Sequence, residues 1–523
     1  MKTLFTNAKV WTGKNSFADS IGFDQITGKI TFTGTKAQMN EMKKDFDEII
    51  DLKGKLVLPA FTDGHIHFIE GSFENSMLDL RNARTKNDFK ISINEYQNKH
   101  GAKWISGGFF SEANFLEEIG LHKNFLDEIC SDVPVIISRF DAHSAFANSK
   151  ALEISGILEA TDSFTSEEIM KDSDGIFTGE LKERAREFIL DKIPEASVSE
   201  RTSVVIEQMK MLHSFGITAI SDITLTADLE IYKELINQNR MDIRVDARMP
   251  FNEFYNMKKY RDEFSELSDN IKFQSLKAFY DGSLSSKTAL MHSNYKNAVH
   301  NGIKTEFVKS GEFERLAFEI DQAGIQMSVH AIGDKAVTDL LDLNESLIRK
   351  NGKRDRRFRI EHAQHIRDND LGRFKELEVI ASVQPAHLFS DAKTAYEILD
   401  DYALEHNYKK LTDSGAIICF GTDFPIVGVS PFENIFYAMT RKALGFENGF
   451  ITENNFSLTE SLEAYTINNA YASYDEKERG SLEPGKAADI IVMENDLFKM
   501  TGDEIKYAKV LETFFEGKKV FGN

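Results

Sequence analysis

Two histidines one residue apart, His65 and His67 in LVLPAFTDGHIHF (56–68), could grip one divalent metal ion. They follow an apolar run, Leu56–Thr62, that reads as a buried strand. Residues i and i+2 of a strand share a face, so the two imidazoles project together and Ile66 turns away. Alone, the pair fits a polar turn equally well. What makes it a candidate site is a set of residues near the ends of later apolar runs, His330 in MSVHAIGD, His362 in RIEHAQH and Asp423 in CFGTDFP, with Lys277 inside the run SLKAFYD. Any one of them reads more readily as a satisfied structural residue; their recurrence after strand after strand is harder to dismiss.

The positioning elements are apolar strands alternating with amphipathic helices. Besides Leu56–Thr62, strands are expected at Ile217–Ser221, Ile243–Arg248, Gln274–Tyr280, Gln326–His330, Phe358–His362, Val379–Gln384 and Ile417–Gly421. Helical patterns fall at Ser199–Ser214, Glu312–Gln322 and Lys335–Arg349. Eight βα units predict an α/β protein with a parallel (β/α)₈ barrel, whose active site lies at the C-terminal strand ends. The segments 1–55 and 477–523 each carry short β-like runs, too few to fold alone, and are expected to combine into one small β domain. The barrel then takes 56–69 and 200–476. The intervening 70–199 is too long for a loop; it has an expected strand at Pro134–Phe140 and helical patches at Glu112–Ile119 and Leu181–Leu190. Following barrel strand 1, it is expected to wall or cover the site.

The 523 residues are 41% hydrophobic and 28% charged, an ordinary globular mix. A formal net charge of −21 repels phosphate backbones and anionic membranes, so neither nucleic acid nor a membrane is an expected partner. With two cysteines, Cys130 and Cys419, there is neither a disulfide framework nor a thiolate metal site. MKTLFTNAKVWTG lacks a signal peptide's apolar core, and no 18-residue apolar run occurs. These features point to the cytoplasm. The oligomeric state is left open, a homo-oligomer included.

The segments LVLPAFTDGHIHF, DAHSAFANSKAL, GIFTGELKERA, LKAFYDGSLSSKTAL, VHAIGDKAV, RIEHAQ, VQPAH, FGTDFPI and GSLEPGKAADIIV together span about residues 55–494. Through them the chain resembles the metal-dependent amidohydrolases, and more narrowly the amidohydrolase 3 family, which includes N-substituted formamide deformylases. The resemblance implies a distorted (β/α)₈ barrel beside a β-sandwich built from both termini. It implies that His65, His67 and Asp423 hold one metal ion and His330 and His362 a second. Lys277 stands where related enzymes carry a lysine carboxylated on its amine and bridging the two ions. A lone ammonium is a poor ligand; its carbamate is an anionic one, and a buried lysine of depressed pKa can add CO₂. A bare, ion-paired Lys277 beside one metal is the competing arrangement. Zinc is the default ion for this donor set, with iron and manganese as alternatives. The implied reaction is attack of a metal-bound hydroxide on an amide-like carbonyl of a small molecule, with Asp423 passing the proton to the leaving nitrogen. Asp281, Ser283 and His143 are weaker candidates for substrate contacts, and Asp141 fits a turn as well as a contact. His365 fits a helix cap, and Gly485 a turn into the terminal β domain. Glu180, His292 and His387 have no assigned role. Two departures from the family pattern are SLSSK at 283–287, where Lys287 could alter substrate contacts, and Thr422 where serine is common.

Two other readings use the same barrel. A mononuclear deaminase would carry HxxE on strand 5, but His330 is followed by Ala331-Ile332-Gly333-Asp334 and Lys277 would lack a purpose. A non-catalytic binding protein would be free to lose ligands, and here the set is complete. No residue pattern names the substrate.

Overall fold

A computed structural model describes residues 1–13, 16–141 and 143–522. Its centre is an eight-stranded parallel sheet, β1 (Phe61–Ile66), β2 (Ile217–Ile223), β3 (Arg244–Pro250), β4 (Ile271–Phe279), β5 (Gln326–Ala331), β6 (Arg359–His362), β7 (Ile380–Val383) and β8 (Ile417–Phe420), each paired with the next. The sheet closes toward a barrel just beyond β8. Asp423 N donates to His65 O at 2.7 Å, and His67 N to Phe424 O at 2.9 Å. Two glycines permit that approach. A Cβ on Gly64 would lie 2.7 Å from Phe420 O, and one on Gly421 would lie 2.4 Å from His65 N. The flanking helices are amphipathic: Glu312–Gln322 buries Phe313, Leu316, Ala317 and Ile320, and Asp334–Asn351 buries Val337, Leu340, Leu341 and Leu347.

The eight expected strands are present, with one change of consequence. The run Leu56–Thr62 is not one barrel strand. Leu56–Pro59 belongs to a six-stranded sheet built from both ends of the chain, in the order Lys518–Phe521, Val510–Phe515, Ile490–Met493, Leu56–Pro59, Lys9–Trp11, Phe17–Ala18. Pro59 has no N–H to continue the ladder. The chain changes sheets at Ala60, whose N–H donates to Asp489 O, while Phe61 N donates to Gly216 O. A four-stranded sheet, Lys29–Gly34, Ser20–Asp24, Lys2–Thr6, Glu48–Asp51, completes the terminal β structure. Phe5, Phe23, Val57, Ile490 and Phe514 pack in one core between the sheets. Gly485, with φ +93°, makes a turn whose N–H donates to Ile30 O.

Two compact units result, Met1–Gly71 with Val205–Asn523, and Ser72–Val204. The second has its own six-stranded mixed sheet, which includes Ile105–Phe110, Val135–Arg139, Ser144–Ala147 and Phe177–Lys182. The expected helix over Glu112–Ile119 is only a 3₁₀ turn, Glu112–Asn114. Phe115 leaves it in extended conformation and its ring lies 5.9 Å from those of Phe89 and Phe110, so aromatic packing overrides the helical pattern. Likewise Leu181 is in a strand, and the helix starts at Glu183. Among the described residues, no helix is long and apolar enough to cross a membrane.

Candidate metal centre

His65, His362 and Asp423 bring one ligand atom each within 4.8 Å of the others, and all three are buried. His67 joins them: the Nε2 atoms of His65 and His67 converge on Asp423 Oδ1 at 3.3 and 3.4 Å. The His330 ring lies 4.5 Å from that of His362, centroid to centroid, and Lys277 is on the same face of β4 as Phe279, under whose ring its Nζ lies at 4.9 Å. The five sequence-predicted ligands and Lys277 thus come together at the C-terminal ends of β1, β4, β5, β6 and β8. The backbone there is strained. His362, Ala363 and Asp423 have φ of +70°, +43° and +59°, values that side chains other than glycine's rarely adopt.

Tautomers follow from what holds the far side of each ring. Glu361 Oε2 lies 2.5 Å from His65 Nδ1. Burial would raise the Glu361 pKa, but the guanidinium groups of Arg359 and Arg248 overcome it and hold the carboxyl well below its usual value. An ionised carboxylate only accepts, so His65 Nδ1–H donates and Nε2 is left with its lone pair aimed at Asp423. His362 Nδ1 donates to Gln384 Oε1 at 2.7 Å, which likewise frees Nε2. His330 Nε2 donates to Gly282 O at 3.3 Å, leaving Nδ1. Burial pushes His330 down to about 3 and His362 well below 6.5, so both rings are neutral donors of a lone pair. For His67 burial again pulls downward, but Asp423 more than compensates and its pKa rises.

Lys277 is the odd member. It is 3% exposed, and among the described residues its Nζ has no hydrogen-bond partner. Burial is the main influence on it and brings its pKa down to about 8, although Glu361 and Asp423 work the other way. An orphaned buried amine beside four imidazoles and a carboxylate is costly in a bare protein. It fits a centre completed by cations: imidazole nitrogens and an anionic oxygen converge, and the other nitrogens of His65, His330 and His362 are already engaged.

The other candidates lie as follows. Asp281 accepts backbone N–H groups from Leu290 (2.8 Å), Gly333 (2.9 Å) and Ile332 (3.1 Å), so its carboxylate ties two loops together beneath His330 rather than facing a cavity. Ser283 bonds Ser286 Oγ at 2.8 Å within its own loop. His143 is exposed in the second unit, 3.4 Å from Glu183, and Asp141 turns back on His143 N at 2.9 Å. Glu180 pairs with Arg139 at 2.7 Å. His292 Nε2 meets Thr338 Oγ1 at 3.1 Å. His387 Nε2 is 4.0 Å from Asp423 Oδ2, which brings this unassigned histidine to the edge of the site. Thr422 keeps the hydroxyl that serine would supply, donating to Asp63 Oδ2 at 2.5 Å. Sequence reasoning missed Glu361, Gln384, Arg248 and Arg359. The signal was present: charged residues inside buried parallel strands, DAR in β3 and RIE in β6, have no route to solvent and must pair with one another.

Barrel, terminal sheets and converging histidines define a metal-dependent hydrolase fold. Residues 48–521 match the Amidohydrolase family, and the chain belongs to it. It is 31% identical to Protein LONG AFTER FAR-RED 3 of Arabidopsis thaliana over 99% of this chain and 91% of that one. It is 24% identical to the N-substituted formamide deformylase of Arthrobacter pascens, over 98% and 97%. Among solved structures, an uncharacterized metal-dependent hydrolase from Pyrococcus horikoshii superposes with a TM-score of 0.74 at 25% identity, covering 96% of this chain and 99% of that one.

Proposed function

We propose that this chain hydrolyses a carbon–nitrogen bond of a small amide-like molecule, with divalent metal held by His65, His67, His330, His362 and Asp423. The observation that carries the reading is the orphaned Lys277 amine among converging imidazoles and one carboxylate. A divalent cation, zinc by the chemistry of the donors, supplies Lewis acidity: it acidifies water and polarises a carbonyl oxygen. The chain does the rest. Glu361 and Gln384 fix the tautomers of His65 and His362. Asp423, ionised despite its burial with His67, whose own pKa is raised, hydrogen-bonded to it, accepts a proton from water and returns it to the leaving nitrogen. Lys277, its pKa brought down to about 8, can add CO₂ as R–NH₂ + CO₂ → R–NH–COO⁻ + H⁺, and the carbamate would serve as an anionic oxygen ligand.

The purified protein is expected to contain one to two divalent ions and to lose activity on chelation. After reconstitution with zinc and ¹³C-bicarbonate it should show a carbamate carbon signal absent from Lys277→Ala. Full activity after verified metal removal would end the hydrolase reading. A metallated, active enzyme without the carbamate signal would leave a mononuclear centre. The inserted unit, 72–204, is proposed from its length and its position after β1 to govern access of substrate. Excision that leaves kcat/KM unchanged on the same substrate would remove that role.

A further inference from the structure

Beside Lys277 and His67 opens a cavity of about 640 Å³, inside the ~300–1,000 Å³ range usual for small-molecule sites. Its walls come from the ends of three consecutive barrel strands and the loops after them: Ile223, Leu225, Pro250, Phe251, Phe279 and Phe307. Leu225 is 47% exposed and Phe279 46%, so large apolar groups are left facing open space at the catalytic end of the barrel. The wall is stiff. Phe251 stacks on Phe313 at 5.5 Å and 11°, Phe307 meets Phe251 edge-on at 6.3 Å, and Thr305 Oγ1 anchors the Phe307 loop to Phe279 O at 2.9 Å.

We propose that this cavity is the subsite for an uncharged apolar substituent, a branched alkyl or aryl group, on the substrate of the neighbouring centre. The inference rests on the hydrolase reading for the identity of that centre. Three features select the occupant. The cavity is continuous with two residues of the centre, His67 and Lys277, so what fills it is attached to whatever reacts there. Its walls are predominantly hydrocarbon and offer an ionic group little compensation for its hydration. Glu70 within the lining repels an anion. Water against rigid aromatic walls is displaced favourably by an apolar group.

Two measurements separate this subsite from the hydrolase reading. The first is binding of benzyl alcohol, which has no bond to hydrolyse, to the metallated full-length protein by saturation-transfer NMR. Binding is expected in the wild type, weakened about tenfold or more in Leu225→Asp and restored in Leu225→Met. The half-exposed position of Leu225 makes both variants compatible with folding, checked by unchanged thermal unfolding. The second is kcat/KM for two series of alkyl amides, one lengthened on nitrogen and one on the carbonyl. In one series each methylene should raise kcat/KM about fourfold until the cavity is full, and Leu225→Asp should flatten the rise. Benzyl alcohol binding lost in Leu225→Asp, with no amide hydrolysed, keeps the subsite and sinks the hydrolase. Absent binding, or binding indifferent to Leu225→Asp, overturns the subsite whatever the amide series shows.

Discussion

The heptapeptide RIEHAQH (359–365) sends two histidines into two different buried clusters. His362 faces His65, His330 and Asp423, with only its Nδ1 engaged, by Gln384. His365, three residues on, has Nδ1 on Ile332 O at 2.9 Å and Nε2 in an ion pair with Glu405 Oε2 at 2.6 Å, close but without hydrogen-bond alignment. Glu405 also meets His406 Nδ1 and accepts from Gln364 Nε2 at 2.9 Å. Burial is equal, and residue types are alike. What differs is saturation. In the second cluster every imidazole faces a carboxylate or carbonyl, and the result is a strut between the loop after β6 and the segment around Glu405. In the first, lone pairs converge on one another and an amine has no partner. A buried histidine marks a reactive site when its second nitrogen faces other donors, and marks scaffolding when it faces an acceptor.

The largest contrast is expected at the carboxylates that are not scaffolding. Asp423→Asn keeps an oxygen near His65 and His67 but cannot take up a proton. Loss of a general base typically costs about 10²–10⁴ in rate. We expect at least that fall in kcat on the best amide, with metal content, measured by plasma mass spectrometry, largely retained. Near-wild-type kcat across pH would show that another group moves the proton, and His387, 4.0 Å away, would be examined first.

The same Glu→Gln exchange then separates the clusters. Glu405→Gln leaves His365 and His406 beside a neutral amide in a dry interior. Breaking a buried ion pair from one side costs about 3–5 kcal/mol, read from urea unfolding, while metal affinity of the folded fraction stays unchanged. Glu361→Gln releases the His65 tautomer, and metal affinity should fall about 10–100-fold, in addition to the destabilisation from leaving Arg248 and Arg359 without their shared carboxylate. Equal effects of the two exchanges on metal affinity would erase the distinction between site and strut.

That distinction was only half legible in the sequence. The strands were visible because parallel barrel strands are apolar runs with punctuated ends, and the ligands because each sits where such a run stops. The handover at Ala60 was not, since LVLPAFT is one continuous apolar run and only the pairing of Pro59 with Ile490 reveals two sheets. Nor could sequence tell His362 from His365. His362 ends β6 and His365 follows it in RIEHAQH, and their fates depend on Gln384 and Glu405, 22 and 40 residues away along the chain. Asp281 reads as exposed chemistry after a strand end, yet its three backbone donors come from loops beyond reach of any local pattern.

The smallest effect isolates the strut by pH. Burial is the largest influence on His365 and pulls its pKa down, but Glu405 outweighs it and the net value rises from 6.5 to about 9. Glu405 itself is held below its usual 4.5 by His365 and His406, against burial. A histidine whose folded pKa is raised contributes stability that is complete below its unfolded pKa and fades as pH climbs through the folded one. The Glu405 contribution has the opposite sign, present above its unfolded pKa and fading in acid. The pair should therefore stabilise most between about pH 4.5 and 6.5 and lose its His365 share between 6.5 and 9. Lys277, depressed to about 8, titrates in part of that window with the opposite slope, because its protonation favours the unfolded chain. The measurement is accordingly a difference: unfolding free energy of the wild type minus that of His365→Gln, followed from pH 6 to 9.5, where the Lys277 contribution cancels. The difference should be largest at pH 6 and shrink steadily toward pH 9. A difference flat across that range would mean that His365 is neutral in the folded protein, and that the strut is held by hydrogen bonds without the charge.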